Sequence, residues 1–120
     1  MSDDSAHFRS GRRMPLELRL RFRTGAALEH EGTTVDLGLG GVFVRTRQLP
    51  SVGEEVTVIL SSPTAWDPLE LSGRVRWAHD GHGGRERGFG VKFDELDRAQ
   101  ATALYDLLQA NAFVDEGDEG

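Results

Sequence analysis

The stretch LELRLRFR, Leu16 to Arg23, alternates without a break: Leu16, Leu18, Leu20 and Phe22 fall on one side, Glu17, Arg19, Arg21 and Arg23 on the other. A period of two belongs to a strand with one face in a core and one in water. Downstream, a polar segment from Gly25 to Gly32 leads to a short strand, Thr33 to Leu37, which runs into Gly38-Leu-Gly-Gly41. Those glycines predict a turn at positive φ, with Val42 to Arg47 as the hairpin partner. Pro50 and Gly53 punctuate before Val56, Val58 and Leu60 alternate again. SSPTAWDP, from Ser61 to Pro68, reads as a loop because both of its prolines oppose sheet pairing. Leu69, Leu71, Val75 and Trp77 form the next inward series. After AHDGHGGRER, a glycine-rich hairpin loop, Phe89, Val91 and Phe93 mark a last strand. Six short strands with turn signals between them imply a mainly β fold, a closed or nearly closed antiparallel barrel, because closure removes exposed edges.

The period then changes. Asp97 is placed to cap a helix whose third residue is Gln100, and Leu96, Ala103, Leu104, Leu107 and Leu108 recur at three and four. One C-terminal helix closes the domain. The expected organisation is a flexible arginine-bearing arm over residues 1–15, barrel and helix over 16–111, and a disordered acidic tail over 112–120.

At 120 residues the chain suits one core. No apolar run approaches the ~20 residues that span a bilayer, and the polar start MSDDSAHF carries no secretory signal, so the expected address is cytoplasmic. The absence of cysteine removes disulfides, thiolate catalysis and cysteine-ligated zinc together. No nucleophile elbow, zinc-protease helix or phosphate-binding loop motif occurs, which argues against an enzyme. His79, Asp80 and His82 lack a third ligand close in sequence and read as a solvated loop rather than a metal site.

Charge is distributed unevenly. Between Phe8 and Arg23 six arginines stand against one glutamate, whereas Asp94 to Gly120 holds eight acids and one arginine, within a net charge of -6. An anionic body with one cationic spot repels a nucleic-acid duplex yet can hold a compact anion. Phe43, Trp66 and Trp77 are the aromatics available to single-stranded nucleic acid, and their positions give no sign of an exposed stacking row. Arg19, Arg21 and Arg23 read as the solvated face of a strand. Arg9, Arg12 and Arg13 precede that strand, where no sheet face needs them. Guanidinium, planar and forked, grips phosphate or the O6/N7 edge of guanine with two bonds and also stacks on a purine.

Arg9-Ser-Gly-Arg-Arg13, followed by Met-Pro-Leu, resembles the R-x-x-x-R switch of PilZ domains. Asp36-Leu-Gly-Leu-Gly-Gly41 is similar to their D/N-x-S-x-x-G motif, and the likeness extends from about Phe8 to Gln109. The resemblance implies a six-stranded PilZ-type barrel that receives cyclic diguanylate (c-di-GMP), a bacterial second messenger. By the same resemblance Arg9 and Arg13 are the switch arginines, Arg12 adds a phosphate contact, Asp36 accepts from guanine N1 and N2, and Gly41 leaves room for close approach. An unidentified protein partner would read the ordered arm. Gly38 stands where the family motif has serine. A neutral hydrogen bond contributes about 1 kcal/mol, so its loss weakens binding by roughly fivefold to tenfold. The competing expectation is a ligand-independent PilZ-like adaptor whose site has degenerated at Gly38.

Overall fold

In the computed structural model the described residues are 13–25, 28–61 and 67–119, the side chains of Arg13 and of 112–119 excepted. Seven strands form: β1 (Arg13–Pro15), β2 (Arg19–Thr24), β3 (Glu29–Gly38), β4 (Gly41–Arg45), β5 (Glu55–Leu60), β6 (Leu69–His79) and β7 (Gly88–Phe93). Every pairing is antiparallel, and the neighbours run β3-β2-β5-β6-β7-β4 and back to β3. Six strands therefore close into a barrel. The seventh, β1, lies outside that ring and pairs with the last residues of β3.

The alternation that marks the first strand places Leu20 and Phe22 in the core, fully covered by Leu37, Val44, Val58, Leu71, Val75 and Phe89 from the other strands. Phe22 meets Phe89 edge-on at 5.0 Å, an arrangement the ring quadrupoles favour. The strand is shorter than its pattern, because β2 begins at Arg19 and the segment Leu16–Leu18 breaks away from regular pairing. The cause lies in the register. Arg13, Met14 and Pro15 face Gly38, Leu37 and Asp36, whereas Arg19 faces Thr33, so one additional residue must fit between the two ladders. Thr34, buried there, supplies the missing bonds: its hydroxyl accepts from Leu18 N–H at 2.8 Å and donates to the Leu16 carbonyl. Buried backbone groups that lose a ladder need such a substitute.

Two expected boundaries shift. Residues 13–15, assigned above to the arm, are a strand, because their backbone completes the free edge of β3 beyond β2. At the other end α1 spans Arg98–Glu119, so the helical backbone runs on through the segment expected to be a disordered tail. No proline or glycine interrupts the chain from Arg98 to Glu116, so no breaker stops it earlier.

The helix start matches its sequence signature. Gln100 N–H donates to Asp97 Oδ1 at 2.7 Å, and Asp97 N–H donates to Gln100 Oε1 at 3.0 Å, a reciprocal capping box. Gln100 Nε2 also donates to the Glu70 carbonyl, which pins the first turn to β6. Leu104 and Leu107 enter the core, with Leu96 and Leu108 packed at its margin, while Ala103 falls on the exposed side. Each buried leucine contributes about 1.5–3 kcal/mol.

Candidate functional site

The register of β1 on β3 brings the two sequence motifs together. The Arg13 backbone lies across from Gly38 and Pro15 lies across from Asp36, so Arg13, expected as the second switch arginine, and the acidic motif occupy adjacent strands. The Arg13 side chain, and Arg9 and Arg12 entirely, lie outside the described residues. Asp36 is half-buried, and the register pairs it with Phe43 on its other side. Leu37 and Val42, the next pair, are fully buried, so alternation turns Asp36 and Phe43 outward. A register shift between Thr34 and Asp36 accommodates this, with Val35 as the additional residue.

Gly38 and Gly41 are both buried at the ends of β3 and β4. The expected positive φ at this turn does not occur. Among the described residues the positive-φ glycines are Gly53, Gly81, Gly83 and Gly84. What Gly41 satisfies instead is proximity: a Cβ there would run into the Val91 carbonyl oxygen of β7. Its need for glycine thus arises inside the barrel, before any ligand is considered.

Around this point the outer face carries two transverse rows of side chains. One runs Pro15–Asp36–Phe43–Gly90–Trp77 across β1, β3, β4, β7 and β6. The next runs Arg19–Thr33–Arg45–Gly88–His79. Phe43 and Trp77 meet over Gly90 with ring centroids 4.7 Å apart, and Trp77 continues to His79 at 4.8 Å. The two rings are tilted at 60° and half-buried, so they make no exposed stacking row; Trp66 lies outside the described residues. What changes is the side on which Trp77 falls: expected in the inward series with Val75, it faces outward, because a register shift between Val75 and Trp77 leaves Arg76 as an additional residue. Strand order explains the contact between Phe43 and Trp77. β7 inserts between β4 and β6, and its Gly-Phe-Gly offers no outward side chain to separate the rings. That glycine pattern was the available signal.

Charges surround the rows. Arg45 donates to Glu17 at 2.6 Å and to Glu86 at 2.9 Å, and these bonds, Glu86 first, hold its pKa above the ordinary arginine value. Glu17 sits in the break between β1 and β2, so Arg45 ties the root of the arm to β4. Arg21 and Arg23 are engaged by Glu29 and Glu70, as a solvated strand face predicts. An open cleft of ≈ 700 Å³ lies along the first half of β3, lined by Arg19, Arg21, Glu31, Thr33, Arg47 and Ile59. It does not include Asp36. Because its walls mix cations with Glu31 and a paired Arg21, volume alone does not make it the site. Among the described residues no His/Asp/Glu cluster could hold a metal, and no helix is long and apolar enough to cross a membrane.

The PilZ domain of CeSA from a cellulose-synthesizing bacterium superposes with a TM-score of 0.65 at 19% identity, covering 85% of this chain and 99% of that one. The PilZ domain of YcgR from Escherichia coli, solved with c-di-GMP, gives 0.67 at 10% identity over 90% and 95%. The Bacillus subtilis inhibitor of motility, MotI/DgrA, gives 0.65 at 17% identity over 83% of this chain, which spans 49% of that protein. At these identities the likeness is one of fold. No curated protein matches the sequence. The PilZ domain family matches residues 6–110, nearly the whole chain, and together with the closed barrel this places the chain in the PilZ domain family.

Proposed function

We propose that this chain is a receptor for cyclic diguanylate, in which the arm bearing Arg9, Arg12 and Arg13 closes on Asp36, Gly38 and Gly41 and presents a new surface to a protein partner. The observation that carries the reading is the β1–β3 register, which sets Arg13 across from Gly38 two residues from the Pro15–Asp36 pair. Two motifs separated in sequence by more than twenty residues thus meet at one place. The ligand's chemistry suits them. Two phosphates need forked cations, each worth about 1.5–3 kcal/mol per charged hydrogen bond, and a guanine N1–H/N2–H edge needs one carboxylate. The c-di-GMP in the YcgR PilZ structure supports the ligand class.

Isothermal calorimetry with c-di-GMP tests it. The parent should release or absorb heat with a saturable isotherm, and Arg13→Ala should lose it while melting at the parent temperature. An Arg13→Ala variant that also unfolds would make that side chain structural. No heat in the parent would favour the ligand-independent adaptor, the reading to which Gly38 lends weight. Gly38→Ser should tighten binding by roughly fivefold to tenfold through the restored hydroxyl contact. Unchanged affinity would mean that the β3 end uses glycine for its backbone.

A further inference from the structure

We propose that Arg45 is a positioning residue that couples the segment joining β1 to β2 with the loop joining β6 to β7, so that closing of the arm is felt by that loop. What moves the arm rests on the receptor reading; the link itself rests on geometry. Glu17 lies where regular pairing breaks off after β1, and Glu86 lies in the loop Asp80–Arg87. Both carboxylates converge on one guanidinium from β4: Arg45 Nη2 donates to Glu17 Oε2 at 2.6 Å and Nη1 donates to Glu86 Oε2 at 2.9 Å. Thr33 and Gly88, the register partners of Arg45 on β3 and β7, are short or lack a side chain, which leaves the way open on both sides.

A planar fork fixes two acceptors in a set relation to one another, whereas an ammonium fixes only charge. Among the described residues neither Glu17 nor Glu86 has another cation within ion-pair distance. The last three residues of the loop reach three different anchors. Arg85 Nη1 lies 3.2 Å and 3.4 Å from the two ring nitrogens of His79. Arg87 donates twice to the Arg47 carbonyl, at 3.2 Å and 3.1 Å, and once to the Asp80 carbonyl at 3.0 Å. Glu86 alone leads, through Arg45, to the root of the arm. The loop's other carboxylate is already committed, since Asp80 accepts from His82 N–H at 3.0 Å and pairs with His82 Nδ1 at 2.9 Å. On the far side, Leu18 N–H and the Leu16 carbonyl bond to the Thr34 hydroxyl rather than to a ladder, so this segment can shift without opening the barrel. All three charged side chains are well exposed, and each pair is therefore weak alone. The coupling expected from them is a few-fold change rather than a switch between two folds.

Backbone NMR tests the link with and without ligand. In the free protein Glu17→Gln should shift the amide resonances of Glu86 and Arg87 and lower their order parameters, although the substitution lies in the arm's root. Arg45→Gln should reproduce that response, Arg45→Lys should restore only part of the parent state, and all three should melt as the parent does. If residues 85–87 in Glu17→Gln are indistinguishable from the parent, the link is overturned. Titration with c-di-GMP then reads its use. In the parent, residues 16–18 and 85–87 should respond together; in Glu86→Gln the first group should still respond, the second should not, and affinity should stay within about fivefold. If residues 85–87 respond equally in Glu86→Gln, the coupling does not run through Arg45, and the proposal is overturned while the receptor reading stands. If the parent does not bind c-di-GMP, the receptor reading falls, and the comparison of Glu17→Gln with the free parent alone decides the link.

Discussion

The two halves of β3 stand on the same barrel and carry opposite chemistry on their outer faces. Along the first half, Glu29 lies beside Arg21 and Arg23, at 3.0 Å and 3.8 Å, and Arg23 also reaches Glu70 at 3.1 Å. Each of these charges is partly solvated and has a partner of opposite sign. Along the second half, Asp36 shares its row with Phe43, Gly90 and Trp77, and the strand edge beyond β2 is taken by β1. Beneath both halves the core is continuous, with Phe22, Leu37 and Val44 fully buried. The difference teaches that the scaffold does not distinguish a solvated face from a binding face; the outward residues do. A face whose arginines are held by carboxylates has little left to offer an anion, and the proposed receptor reading therefore places the ligand on the second half.

The largest expected effect breaks the second half. Gly41→Ala sets a methyl against the Val91 carbonyl, and since backbone on both sides is paired, β4 and β7 must separate. Overpacking costs about 1–3 kcal/mol and occasionally more, and a methyl set against backbone, which cannot rotate away, lies at the upper end. A urea melt should show the midpoint falling, with c-di-GMP affinity reduced as a consequence. If stability were unchanged and only affinity dropped, the glycine would serve the ligand rather than the barrel.

A smaller effect is expected at the junction of the halves. Thr34→Val keeps the shape of the side chain and removes the hydroxyl that bonds to Leu18 N–H and the Leu16 carbonyl. Leaving those groups unsatisfied costs about 1–3 kcal/mol. Loss should be local as well as global: the amides of residues 16–18 should exchange with deuterium faster than those of β5 or β6. Uniform acceleration would show that the break between β1 and β2 is not a separate unit.

How much of this was legible in the sequence follows from what each signal encodes. Alternation encodes which side of a strand is wet, and it correctly placed Leu20, Phe22, Val56, Val58, Leu71 and Val75 inside. Local hydrogen-bonding chemistry encodes helix starts, and the Asp97–Gln100 box formed as read. Neither signal encodes which strands are neighbours. Alternation put Trp77 inside with Val75, and it cannot see the register shift that turns Trp77 outward or the placing of β7 between β4 and β6 that brings it against Phe43. β1 was equally hidden. Arg-Met-Pro has no alternation to read, and only the vacant edge of β3 makes it a strand.

The smallest expected effect lies on the first half of β3, and it sharpens the comparison because so little should happen. Replacing Arg21 by alanine removes one bond to Glu29, a pair whose side chains are 48% and 40% exposed. Solvent screens such a pair, side-chain entropy opposes it, and salt weakens it further, so the stability change should be about 0–1 kcal/mol and should vanish in high salt. Affinity for c-di-GMP should remain that of the parent. Arg23 remains beside Glu29 at 3.8 Å, so the carboxylate is not left without a cation. A marked loss of binding in Arg21→Ala would mean that the ion-paired half of β3 reaches the ligand after all, and the division of the outer face into a solvated and a recognising part would have to be redrawn around the cleft that Arg19, Arg21 and Arg47 share.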